Sequence, residues 1–480
     1  MQILRIVGIV IAVLIAAGLA LAWMLQVPAP LPAPERGGTF DHVTVIQPAE
    51  SRRENQTLSV NRDAIGAVGP SSGDRGPYAG MYVLPGLINM HAHHPPQSIP
   101  VARDLFPLLF LMHGVTTVRD AGDVDGKTVA PLRNLINGGK IAGPRIFACG
   151  PFVDGPDTTW ENTRVVSDVS QAAETVRRIK SEGFDCIKLY NSLAPDVLAA
   201  LVATAKAQGM PSIGHVPRNV PYPGGIGDVQ HLIGASIVPN TDPRHFPEVM
   251  DTWAAFDDAQ MERTVKATLE AHTANTPTLI SLAKNANYGH YDDMRKSAEA
   301  ALLPRFFADV IWHPADGLPR DTSEKNLARL HVALAAEQRL VKRLHDVGAP
   351  LHIGTDTMTA FVIPGVDVQE EMRLFVEAGI PVEQVWKLAT SGNGEYLKPT
   401  LGRLDPGAPA DFLIFRKDPT KDLANLATLE AVVADGRLYT KADLANRFAR
   451  LKAQWSNPIV DIAMVQATRW AMARFRREGK

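Results

Sequence analysis

Cysteine is nearly absent. Cys149 and Cys186 are the only two among 480 residues, and they do not form a Cys-x-x-Cys pair. That excludes a thiolate metal site and a framework of several disulfides. Each sits in an apolar, strand-like run, which reads as an unpaired core cysteine; pairing is the alternative if the domain lies outside the cytoplasm. An excess of one charge is also lacking, with 49 Lys and Arg against 51 Asp and Glu. Such a balance gives no footing for nucleic acid, so no nucleic-acid partner is expected. Three catalytic signatures are missing too: the Gly-x-Ser-x-Gly elbow, the His-Glu-x-x-His helix and the Gly-x4-Gly-Lys-Ser/Thr phosphate loop. Serine-elbow, zincin and phosphate-loop chemistry drop out with them. Gly224, Gly225 and Gly227 do not open a strand-to-helix dinucleotide turn and read as a loop.

Charge is also missing from the stretch after Arg5. The run from Ile6 to about Val27 is uncharged and apolar, long enough for one membrane-spanning helix. Two readings fit residues 1–27. One is an anchor whose cytoplasmic side is marked by Arg5. The other is a signal peptide cleaved near Ala20-Leu21-Ala22. Both place the rest of the chain outside the cytoplasm, on the membrane or secreted. Residues 28–38 are proline-rich and read as an extended linker.

What the chain does have is histidine in telling places. Asn89-Met90-His91-Ala92-His93 follows the apolar run Tyr82–Ile88. Side chains alternate faces along a strand, so His91 and His93 point the same way and can grip one metal ion. Further candidates each end a short apolar segment: Lys188 in Cys186-Ile-Lys-Leu-Tyr190, His215 in Ser212-Ile-Gly-His-Val216, His231 in Val229-Gln-His-Leu232, and Asp356 in Leu351-His-Ile-Gly-Thr-Asp356. One such residue per strand end is the pattern of a barrel enzyme.

The periodicity agrees. Eight strand-like runs alternate with helical ones: 86–93, 116–120, 145–150, 186–191, 211–216, 229–233, 277–281 and 351–357. Helical patterns fall between them at 170–182, 194–208, 258–272 and 327–347. This predicts an α/β fold, a (β/α)₈ TIM barrel over residues 86–400. The stretch between strands seven and eight is long and helical, either a lid or decoration. Residues 39–85 and 401–440 carry period-two patterns with Gly and Asp turns and are expected to pair into a small β-sandwich. Residues 441–480 predict two helices, the first carrying Leu444, Phe448, Leu451 and Trp455 at helical spacing, the second starting at Asn457-Pro458. The second ends basic, with Arg469, Arg474, Arg476, Arg477 and Lys480. Its readings are a helix packed on the barrel, or a membrane-surface or subunit contact, which would make a homo-oligomer.

Three strings sharpen the reading: Leu84-Pro-Gly-Leu-Ile-Asn-Met-His-Ala-His93, Gly114-Val-Thr-Thr-Val-Arg-Asp120 and Gly402-Arg-Leu-Asp-Pro-Gly-Ala-Pro-Ala-Asp411. The chain resembles the amidohydrolase superfamily over about residues 40–440, and within it the imidazolonepropionase-like and Xaa-Pro dipeptidase-like branch. The resemblance implies two divalent metal ions, zinc by default. His91, His93 and Asp356 would hold the first and His215 and His231 the second, with Lys188 bridging both as an N-carboxylated side chain. It implies attack by a metal-bridging hydroxide on a carbonyl, with Asp356 moving the proton. Tyr190 is a candidate for the oxyanion and Arg119 for a substrate carboxylate. Barrel packing competes with the first role, and an ion pair with Asp120 competes with the second. Asn89 departs from the acidic residue the superfamily often has two before the first histidine, removing a charge near the first ion. His94 reads as an exposed loop residue, His113 as structural and His352 as a core histidine.

The expected activity is hydrolysis of amide C–N bonds in small molecules such as dipeptides or N-acyl amino acids. Cyclic-amide hydrolysis or deamination is a second reading, and Lys188 argues against deamination. A catalytically dead, membrane-anchored binding protein is the third.

Overall fold

A computed structural model describes residues 26–158, 160, 162–217, 220–236, 251–315, 317 and 322–477, with Ile9, Ile11, Ile15 and Gly18 isolated before them. The expected anchor or signal therefore lies almost wholly outside the described residues. Among the described residues no helix is long and apolar enough to cross a membrane.

Two segments far apart in the chain build one sheet. Strands β1 (Gly38–Gln47), β2 (Ser51–Asn61), β3 (Ala64–Pro70) and β4 (Tyr82–Pro85) come from before the barrel. The barrel itself supplies β5 to β13. The last three strands, β14 (Phe412–Phe415), β15 (Leu429–Ala434) and β16 (Arg437–Thr440), come from after it. The order is β16-β15-β14-β4-β1-β2-β3, a single seven-stranded sheet where the sequence suggested a sandwich. The physical reason is β4. It pairs in parallel with β1 on one side and antiparallel with β14 on the other, so the two segments are joined edge to edge. Phe40, Val43, Val45, Leu58, Phe412, Ile414 and Val433 bury their alternate positions in one core, as period-two patterning requires.

The barrel follows without a break. Gly86 links β4 to β5 (Leu87–Ala92), and its backbone N–H donates to the Asp411 carbonyl at 3.0 Å. A Cβ on Gly86 would lie 2.0 Å from the Thr116 hydroxyl, so only glycine lets the first stave pass this close to the second. β5 pairs with β6 (Val115–Asp120), and β6 with β7 (Arg145–Ala148), all in parallel. Residues 145–154 then change partner midway. The first half, β7, faces β6, while the second half, β8 (Phe152–Asp154), faces β10 (Ile187–Leu189) and the short β9 (Thr163–Val165). β10, β11 (Ser212–Gly214), β12 (Asp228–Gln230) and β13 (Ala274–Thr276) continue in parallel. Parallel bridges Asn275–Leu351 and Ala92–Thr357 place residues 351–357 between β13 and β5 and close the ring.

Strand seven differs from the expected 277–281. It is β13, ending at Thr276, and Thr278 turns the chain through a left-handed conformation (φ 53°) into a helix, Leu279–Ala286. Leu279, Ile280, Ser281, Leu282 and Ala283 of that helix are all buried. The first turn of this helix is buried all round and has the apolar run of a strand, so periodicity could not tell them apart. The helices at Ala172–Ser181, Pro195–Ala207, Asp258–Ala271 and Glu324–Asp346 fall where the sequence placed them. So do the last two, Lys441–Trp455 and Pro458–Arg477. The Thr440 hydroxyl accepts from the Asp443 N–H and caps the first, and Asn457 Oδ1 accepts from the Ile459 N–H at 3.0 Å and is the expected cap of the second.

The cysteine reading is corrected. Cys149 and Cys186 form a disulfide, with Cα atoms 4.3 Å apart. Both are buried with Ala121 and Ile213. The bond staples the end of stave three to the start of stave four, two segments that each looked like an ordinary apolar run alone. The closed loop spans a separation of 37 residues, worth about 4 kcal/mol in the chain-entropy picture. A Cys149→Ala/Cys186→Ala variant is therefore expected to lose a few kcal/mol of stability. Urea midpoints of variant and parent check it; an unchanged midpoint would mean the bond does not restrain the unfolded chain.

Candidate active site

Every residue of the predicted ligand set lies at the same end of the barrel. His91 and His93 stand at the end of β5, with their Nε2 atoms 3.3 Å apart. Asp356 Oδ1 is 3.3 Å from His91 Nε2 and 3.5 Å from His93 Nε2. The His91 and His231 rings are 4.6 Å apart and the His215 and His231 rings 5.1 Å apart. Nitrogens of His91 and His231 and an oxygen of Asp356 all fall within 4.8 Å of one another. Stave eight comes this near because of Gly354, where a Cβ would sit 2.9 Å from the His91 backbone nitrogen. The Thr355 and Asp356 N–H groups both donate to the His91 carbonyl, at 3.0 and 2.8 Å.

All four imidazoles are oriented from behind. His91 Nδ1 bonds Gln230 Oε1, and His93 Nδ1 donates to the Gly122 carbonyl at 2.9 Å. His215 Nδ1 bonds Asn191 Oδ1 at 2.7 Å, and His231 Nδ1 bonds the Thr278 hydroxyl at 2.6 Å. A ring nitrogen that faces a carbonyl oxygen must carry the hydrogen, which leaves the lone pair on Nε2. The lone pairs of His91, His93 and His215 thus face the space between the staves, while the Thr278 hydroxyl, which can donate or accept, fixes the ring position of His231 but not its tautomer. His215 Nε2 is buried there with no hydrogen-bond partner. Such an orphan is costly unless something accepts it, and a divalent ion would. Burial, first of all, holds His91 and His215 well below the usual imidazole range and His231 down to about 4. Neutral imidazoles are what a metal requires.

Lys188 is the fifth member. It lies on β10, is 1% exposed, and no ion pair reaches it among the described residues. The acidic neighbours Asp356, Asp228 and Asp120 act on it through their charge without forming an ion pair, and favour the ammonium. Burial is the main reason that its ammonium falls to about 7. Below that pH the amine is charged; above it the lone pair is free. For Asp356, burial opposes ionisation, but the surrounding His231, His91 and His93 outweigh it and hold the carboxyl well below its usual range. Its second oxygen accepts from Thr359 at 2.7 Å and from Ser281 at 3.5 Å.

Tyr190 is also in the mouth. Its ring lies 4.4 Å from that of His215 and 5.3 Å from Phe152, which stacks on Trp160 at 5.0 Å. Burial holds the phenol up at about 12, so it stays a donor.

Arg119 is not in the mouth, and its role as a carboxylate clamp is corrected. It is wholly buried inside the barrel, donating to the Met90 carbonyl at 2.7 Å and to Asp228 at 2.5 Å. Its ion-pair partner is thus Asp228, from stave six, and not Asp120. Asp228 also meets His352 at 3.2 Å. His94 is corrected as well: it is buried, and its Nδ1 bonds Asp120 at 2.8 Å. Asn89 donates to the Thr355 hydroxyl at 2.9 Å and accepts from the His91 N–H at 3.1 Å, so it joins staves one and eight beneath the ligands. His113 bonds the Leu109 carbonyl at the end of its helix. Residues that sequence reasoning missed are Gln230, Asn191 and Thr278. Gln230 and Asn191 are each one residue from a singled-out one, which was the only signal; Thr278 carried none, because the run around it read as strand. A fourth is Glu371, whose carboxylate accepts the Leu279 and Ile280 N–H groups at 3.0 and 2.7 Å and so pins the helix beginning after Thr278.

This fold and this site define a hydrolase barrel with a metal-ready histidine and carboxylate set. The chain belongs to the amidohydrolase family, whose model matches residues 82–439, well over half of its length. No curated protein matches it. Its fold is shared with solved structures. One is a bottromycin amidohydrolase, 24% identical over 91% of this chain and 93% of that one, with a TM-score of 0.68. Another is a Xaa-Pro dipeptidase with methionine bound in its active site, 20% identical over 84% and 99%, TM-score 0.60. A third is an ochratoxinase from A. niger, 16% identical over 85% and 96%, TM-score 0.60.

The buried Arg119–Asp228 pair yields a test. Removing the cation leaves a buried carboxylate, so Arg119→Leu should cost roughly 3–5 kcal/mol of stability. The KM of the fraction that folds should stay unchanged. A raised KM at full stability would restore Arg119 as a substrate clamp.

Proposed function

We propose that this amidohydrolase cleaves amide bonds of dipeptides or N-acyl amino acids and uses two divalent ions, zinc by default. The observation that carries the reading is the convergence of four imidazoles, with an orphaned Nε2 on buried His215, around Asp356 and Lys188. His91, His93 and Asp356 would hold one ion and His215 and His231 the other, with Lys188 between them. When bound, the ions would supply an activated water and polarise the scissile carbonyl.

The chain's own groups supply the rest. Asp356 is ionised at rest and accepts a proton at Oδ1 or Oδ2, and the Thr359 and Ser281 hydroxyls keep it in place. Handing that proton to the leaving nitrogen completes the C–N cleavage. Tyr190 presents an O–H beside His215 and can hydrogen-bond the oxygen on which charge develops. Phe152, Trp160 and Tyr190 form an aromatic wall next to His93 and His215, which favours an apolar side chain on the substrate. The names of the bottromycin amidohydrolase and the Xaa-Pro dipeptidase point the same way. An amine near neutrality at Lys188 can add to CO₂ as a nucleophile, with loss of one proton. The resulting carbamate is a carboxylate-like ligand for both ions, where the ammonium has no lone pair to give.

Three outcomes are expected. Lys188→Ala should lose one or both metals, by metal analysis, and nearly all turnover; full metal content and full activity would sink the two-metal assignment. Metal-stripped protein given zinc and bicarbonate should regain activity faster as pH rises through about 7, because only the uncharged amine reacts. A pH-independent rate would argue against the carbamate. Mass spectrometry of a pooled library should show free amino acids released by the parent and not by His215→Ala. Ring-opened products or ammonia would instead assign a cyclic amide or a deaminated heterocycle.

A further inference from the structure

The outward face of the last helix, Pro458–Arg477, is unusual for a protein surface. Ile459, Ile462 and Trp470 are 58%, 55% and 62% exposed, the three most exposed large apolar side chains among the described residues after Gln26. Their spacing of three and eight puts them on one stripe of a 3.6-residue helix. Val460 and Val465 are buried on the opposite face, packed on the barrel side. The stripe ends between Arg469 and Arg474, one on each flank by helical geometry. The sequence beyond adds Arg476, Arg477 and Lys480 against the single acidic Glu478. An exposed apolar ridge with a tryptophan and a basic end is the composition of a helix that lies in a lipid interface.

A second observation, independent of the helix, bears on what covers it. The proline-rich linker is not a loose spacer. Arg447 donates to the Leu31 and Pro32 carbonyls at 2.7 Å each, and Arg437 donates to Pro34 at 3.0 Å. Pro28 and Ala29 share a cleft with Arg450 and Leu451. The linker therefore runs antiparallel to helix Lys441–Trp455. Followed backward, it reaches residue 28 toward the end of that helix that turns, through Ser456 and Asn457, into Ile459. Pro28, where the uncharged run of residues 6–27 meets the linker in the sequence, thus lies on the side of the molecule on which the exposed stripe begins.

We infer that the stripe Ile459, Ile462 and Trp470, with its basic end, is a docking face for an anionic lipid surface. It lies on the same side as Pro28, where the apolar N-terminal run joins the linker, so that with that run as an anchor the barrel would be held to the bilayer at two points. The apolar side chains would enter the headgroup boundary and the arginines would meet lipid phosphates.

The test uses the full chain in liposomes of phosphatidylcholine with or without phosphatidylglycerol. The two native cysteines are joined and buried, so an environment-sensitive fluorophore can be placed through Ile462→Cys or, separately, Trp470→Cys. Val169→Cys, exposed elsewhere on the molecule, serves as control. The expected result is a blue shift and several-fold stronger quenching by doxyl lipids at 462 and 470 than at 169. The effect should be larger with phosphatidylglycerol and reduced by Arg469→Glu/Arg474→Glu. Equal quenching at all three positions would overturn the proposal. So would a blue shift that follows protein concentration without lipid, because the face would then belong to a second copy of the chain.

Discussion

Four hydrogen bonds from behind decide what this barrel can do. Each takes up the Nδ1 of one histidine, and each partner is an oxygen: a side-chain amide for His91 and His215, a backbone carbonyl for His93, and a hydroxyl for His231. An imidazole has two similar nitrogens, and without such partners it could turn either one inward. With them, the rings of His91, His93 and His215 turn Nε2 into one small space, and burial favours the neutral form of His91, His215 and His231. The rest of the site leans on that arrangement. The Asp356 carboxyl lies well below its usual range among these rings, and Lys188 is so deeply buried that desolvation outweighs the pull of Asp356 and brings its amine near neutrality.

Beneath this layer lies a second one that carries no metal chemistry. Arg119, Asp228 and His352 come from three different staves and meet inside the barrel. The Thr276 hydroxyl donates to Asp228, and Tyr396 lies 5.6 Å from the Arg119 guanidinium. A buried charge is tolerated only when its partners are in place, so this layer locks the relative height of the staves. Height matters because the ligands sit at stave ends, where a shift along one stave would carry a histidine out of reach. Asn89 performs the same service between staves one and eight. In this chain the Asn89 amide donates to the Thr355 hydroxyl at 2.9 Å, a contact in which a carboxylate could only accept.

Much of this was readable. The His91-x-His93 pair, the single residue at the end of each later segment, and the alternation of strands and helices all reach the right barrel. They do so because period two and period 3.6 are local properties of the chain. What failed failed for one reason in several forms. Residues 277–281 looked like a strand because the first turn of the helix that follows is buried all round and shows no polar face to reveal its period. Arg119 looked like a residue of the mouth because a strand's last residues can face the mouth or the interior, and only the register of β6 against its neighbours decides which. His94 looked exposed because nothing near it in sequence announces Asp120, which lies 26 positions on.

The sequence by itself therefore determined the class of fold, the histidines and Asp356 that gather at one end of the barrel, and the uncharged N-terminal run, because each depends on spacing within a few residues. The tertiary structure alone decided the joining of Cys149 to Cys186, the partner of Arg119, the four oxygens that aim the imidazoles and the clamping of the linker by Arg447. Each of those is a contact between segments that are distant along the chain. Such contacts are chosen by stave register and side-chain packing, quantities that no local pattern of residues encodes.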